Sequence, residues 1–89
     1  MTILEFITLV GLGASVREFD VGDPCIQWVL IGLADGRRLL VVEQTLREAT
    51  VIMEPTEADL ARCRENPWGV AHLPSADPEA IVKLARERV

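Results

Sequence analysis

The sequence predicts an α+β fold: a mostly antiparallel sheet of about four to five strands, with two C-terminal helices packed on one face. Three observations carry this. Residues 1–54 are rich in Val, Ile, Leu, Phe and Thr and are punctuated by Gly and Pro, whereas residues 55–89 are rich in Ala, Glu and Arg. The stretch "WVLIGLADGRRLLVVE", Trp28 to Glu43, sets Asp35-Gly36 between two apolar runs, which is a hairpin signal. Thr56 and Asp77 each open a run with helix-start chemistry. At 89 residues the chain is expected to be one domain, 1–89, strand-rich first and helical from 55 onward.

Ile3 to Val10 reads as the first strand, because Ile3, Ile7, Thr8 and Val10 are β-branched and Phe6 is aromatic. "GLGAS", Gly11 to Ser15, breaks it. Val16 to Val21 alternates Val16, Glu18, Asp20 against Arg17, Phe19, Val21, the pattern of a strand with a wet side at a sheet edge. "GDPC", Gly22 to Cys25, is a turn begun by Asp23-Pro24.

The hairpin follows. A two-residue turn at Asp35-Gly36 pairs Ala34 with Arg37, and so sets Ile31 against Leu40 on one face and Leu30 against Val41 on the other. A three-residue loop with a bulge slips the register by one. Either way apolar pairs fill both faces through the middle, as in strands covered on both sides. Gln44 to Ala49 is a connection or one helical turn, and Thr50 to Met53 a short strand ended by Pro55. Thr56 caps a helix over Glu57 to Glu65, with Asp59 placed to answer the orphan N–H groups and Pro67 to stop it. Its apolar content is thin, so it should lie shallowly. "NPWGVAHLP" reads as irregular or as a brief strand. Asp77 then caps a second helix with Pro78 at its first position; Ile81, Leu84 and Ala85 form its buried stripe, and Glu79 pairs with Lys83.

Two short helices cover about one face of such a sheet. The second face needs another layer, a partner chain or a ligand. Composition points the same way. Hydrophobic residues are 49% of the chain and the 6 glycines bring the share to about 56%, above the roughly 45–50% of ordinary domains on the scale that includes glycine. A chain this short buries only about 60–65% of its unfolded surface. The excess predicts a covered interface, with Trp28, Leu30, Ile31, Leu39, Leu40, Val41 and the loop residue Trp68 as its candidate residues.

Several functions are disfavoured. The net charge is -5, which repels phosphate backbones, and the aromatics Phe6, Phe19, Trp28 and Trp68 are scattered, so no nucleic-acid platform is expected. No apolar run approaches the ~20 residues of a membrane span. The N-terminus lacks a basic n-region and contains Glu5, so it reads as a cytoplasmic start. "GLGAS" lacks the third glycine of a dinucleotide loop and the lysine of a P-loop. Cys25, Cys63 and His72 lack the close pairing of a zinc site. No cofactor is expected.

Three functions remain as expectations. The first is a small acidic accessory, regulatory or inhibitor protein without catalysis of its own. It would self-associate through the sheet as a dimer, or bind another protein with a basic face. The second is a small-molecule module with an apolar pocket between sheet and helices, walled by Trp28 or Trp68. The third is a small enzyme using Cys63 as nucleophile with His72, the only histidine, as base. The carboxylates Glu18 and Asp20 share one strand face, but on an edge strand such charges serve to prevent adhesion.

Overall fold

Among the described residues, the elements that can be bounded are β1 (Ser15–Asp20), β2 (Ile26–Gly32), β3 (Arg38–Gln44), β4 (Thr50–Met53), α1 (Glu57–Glu65) and α2 (Trp68–Ala71), in that order along the chain. The computed structural model describes residues 15–33, 36–45, 47, 49–77, 80 and 83. The strands form one antiparallel sheet in the order β1-β2-β3-β4, the α+β arrangement expected from the sequence. The strand expected over Ile3 to Val10 and the stripe Ile81, Leu84 and Ala85 lie outside the described residues. Ala80 and Lys83, which flank that stripe, are helical.

The hairpin takes the slipped register. Gly32 pairs with Arg38, Ile31 with Leu39, Leu30 with Leu40 and Val29 with Val41. The two-residue turn that pairs Ala34 with Arg37 is therefore not the one formed. Gly36 donates to the Leu33 carbonyl at 3.0 Å and Leu33 donates to that of Arg37 at 2.7 Å, closing a longer loop. Gly36 sits at φ 90°, a left-handed conformation that a side chain disfavours, and it makes the wider loop possible.

Alternation now assigns the faces. Ile26, Trp28 and Leu30 of β2 and Leu40 and Val42 of β3 meet Leu60 and Cys63 of α1 and Val70 and Ala71 of α2 in one core, with Ile52 and Leu73 at its border. On the other face Val29, Ile31, Leu39, Val41 and Val51 are all at most 1% exposed. Thus both faces of the hairpin are out of water within a single chain.

The two sheet edges differ. At β4, Val51 donates to Ser75 Oγ at 2.9 Å, and its carbonyl accepts from Ala76 N–H at 2.8 Å. The buried Thr50 hydroxyl donates to the Ala71 carbonyl at 2.7 Å, tying the strand to the end of α2. At β1 five of the six residues are exposed and the sixth is half-buried. A bulge at Arg17 interrupts its pairing with β2 between Val16 and Glu18.

α1 begins as its sequence dictates. The Thr56 hydroxyl accepts from Asp59 N–H at 3.1 Å, and the Asp59 carboxylate accepts from Thr56 N–H at 3.0 Å, a reciprocal capping box. Only Leu60 and Cys63 of the helix are buried, so it rests on the sheet by a narrow stripe. Thr56→Ala is expected to cost about 1 kcal/mol of stability, read as a lower urea midpoint at unchanged m-value. α2 replaces the irregular stretch or strand expected over "NPWGVAHLP". Pro67, at φ -61°, is already helical, and the Asn66 side chain accepts from Trp68 N–H at 3.2 Å, so this short segment starts a turn of helix.

Candidate functional site

Of the seven candidate interface residues, six lie inside the chain. Trp28, Leu30, Ile31, Leu39, Leu40 and Val41 are each at most 5% exposed, while Trp68 is 47% exposed on α2. Trp28 belongs to the packed layer between sheet and helices, the place where a ligand pocket was expected, and Trp68 lies outside that core. No buried side-chain nitrogen or oxygen among the described residues is left without a hydrogen-bond partner, so none stands waiting for a polar ligand.

Cys63 is fully buried beneath α1, and burial pushes its thiol up to about 11, with Glu18 and Asp20 adding to the rise and Arg64 opposing it. At neutral pH it is a thiol, a poor nucleophile. His72 is exposed and its Nδ1 lies 3.3 Å from the Trp68 carbonyl oxygen. Cys25 is a free, exposed thiol at the turn before β2. No group of three or more His, Cys, Asp or Glu among the described residues is arranged to hold a metal ion. No described helix is long and apolar enough to cross a membrane.

Among the described residues, Trp68 and Met53 are exposed singly, while three exposed apolar side chains cluster in and just after β1. Phe19 is 62% exposed, with Val16 at 45% and, just past the strand, Val21 at 51%. Phe19 pairs with Val29 and Val16 with Ile31, so both side chains project on the face away from α1 and α2. Glu18 pairs with Leu30 and Asp20 with Trp28, placing both carboxylates on the helix face.

Glu18 is gripped there by Arg64 of α1, whose Nε and Nη2 donate to its two oxygens at 2.8 Å each. These hydrogen bonds hold the Glu18 carboxyl below its ordinary range, and burial opposes the shift only weakly. A lowered folded-state value means the pair stabilises the chain above pH 4.5, the ordinary value, and loses that contribution as pH falls through the lowered one. Both partners are substantially exposed, so the effect is small. The melting temperatures of wild type and Glu18→Gln are expected to differ slightly at pH 7 and to converge on acidification.

The sequence marks β1 as an edge and marks its carboxylates, yet gives no sign of Arg64 as their partner, because the two positions are 46 residues apart. Phe19 was read only as one member of an alternating strand. Its exposure follows from the edge position, which the alternation with charges does signal. Compared with protein-family models, with curated proteins and with solved structures, the chain matches none.

Proposed function

We propose that the chain is a small acidic protein–protein interaction module, an accessory, regulatory or inhibitor protein without catalysis of its own, that binds by accepting a strand at β1. One observation carries this reading. Phe19, 62% exposed, sits on an edge strand that is open among the described residues, while the opposite edge is closed at Val51. An exposed edge with an outward aromatic is a template for β-strand addition, where main-chain hydrogen bonds supply affinity and alternate side chains supply selectivity. Self-association through the sheet, expected from the apolar hairpin, has its exposed route along this edge, since both hairpin faces are filled. The high pKa and full burial of Cys63 support the absence of nucleophilic chemistry.

The test compares the tagged wild-type chain with a Val16→Lys/Phe19→Lys variant. Both positions are surface positions, so stability should stay within about 0.5 kcal/mol. Proteins retained from an extract of the source cells by wild type and released by the variant support the reading. Light scattering across concentration reports self-association in the same pair. An identical retained set and identical mass for both chains, with the variant still folded, sinks it.

A further inference from the structure

The charge pattern of β1 restricts what can pair with it. Two copies of an antiparallel edge related by a two-fold axis must set one residue directly opposite itself, and its neighbours opposite each other in turn. Centred on Arg17, Glu18 or Asp20, that rule places a charge against its own copy. Centred on Phe19, it places Glu18 of each chain against Asp20 of the other. Like charges directly opposite are destabilising. Arg64 already occupies both oxygens of Glu18, whereas among the described residues Asp20 accepts from the Gly22 N–H at 2.9 Å and meets no cation, so the acidic charge at Asp20 is the less compensated one. A centre on Val16 avoids the conflict but engages only the bulged end, where the regular ladder is lost. The strand is therefore built against pairing with itself.

We infer that the occupant of β1 is an extended segment of a different protein in which basic residues alternate with apolar ones. Opposite residues in a ladder share a face. A basic side chain then meets Asp20 on the helix face, beside the Glu18 that Arg64 already holds, and the intervening apolar side chains pack with Phe19 and Val16 on the other. The net charge of -5 draws the same class of partner from a distance. Specificity arises from both signs: attraction for a basic strand and repulsion of this chain's own edge.

The inference rests on the β1 reading above, and the test separates the two. The probes are an eight-residue capped peptide alternating lysine with valine, and a second with glutamate in place of each lysine. Both are titrated into the full chain at low salt and followed by amide NMR. The lysine peptide is expected to shift signals and slow hydrogen exchange across residues 15–21. The glutamate peptide and an Asp20→Lys variant are each expected to weaken binding at least tenfold. Equal affinity for both peptides, with shifts still confined to β1, overturns the basic partner and leaves the edge reading standing. A wild-type dimer abolished by Phe19→Lys does the same. No binding by either peptide, or shifts only outside β1, overturns both.

Discussion

Ile31→Lys and Leu30→Lys are each expected to unfold the chain. The two positions are adjacent on β2 and point to opposite faces, and they are 1% and 5% exposed. Leu30 lies in the layer against α1 and α2, and Ile31 lies opposite Leu39 on the far face. An unpaired ammonium forced into either place loses its hydration without gaining a partner, at a cost of several kcal/mol. Small domains carry only about 5–15 kcal/mol in total. From the sequence alone one of these changes should unfold the domain and the other should only weaken an assembly, because the chain shows helical cover for one face. Burial of both faces within one chain changes that expectation. Far-UV circular dichroism and urea titration decide it. A folded Ile31→Lys chain with a wild-type urea midpoint would mean that the far face is open in solution. Leu40→Ala gives the graded version: about 2–5 kcal/mol lost, depending on how far the cavity collapses.

The two thiols are expected to react at very different rates. Cys25 is exposed, whereas Cys63 has no exposed surface and its thiol is pushed up to about 11. At pH 8 a thiol of that kind is thiolate roughly one part in a thousand of the time, and the reagent must also wait for the chain to open. One thiol per chain should therefore label promptly in buffer, and both in denaturant. Prompt labelling of two would show Cys63 to be accessible and restore it as a nucleophile candidate. A folded Cys63→Ala chain should keep its partner binding, since the residue contributes packing rather than chemistry.

The antiparallel pairing of β2 with β3 was legible because it depends on a local turn signal, whereas the order of the whole sheet was left open by the sequence. In the structure each β strand of the described chain is consecutive with its neighbour in the sheet. The start of α1 was legible for the same reason as the hairpin: the Thr56 and Asp59 side chains bond each other's backbone, three residues apart. The hairpin register was open because an Asp-Gly pair serves loops of two lengths and apolar residues fill both faces in either case. The pattern that normally selects a register had no polar side to read. α2 was hidden in a stretch whose Pro and Gly suggest irregular chain, while its one-turn helix depends on an Asn66 side-chain bond. Six of the seven candidate interface residues are buried, and the reason is quantitative. Apolar excess shows that surface must be covered, but not which residues do the covering. The hairpin holds the greasiest run and is the most deeply buried. Among the described residues, the most exposed apolar side chain, Phe19, sits instead in β1, the strand with the densest charges.

The unequal edges also set a valence. A sheet that accepts strands on both sides can grow without limit, each added chain presenting a fresh edge to the next. Here Ser75 and Ala76 close β4 at Val51. A strand docked on β1 as proposed would find the far edge already occupied at Val51, so this route of propagation into a fibre would stop at the first addition. On the proposed reading, the exposed β1 edge would give complexes of one-to-one size.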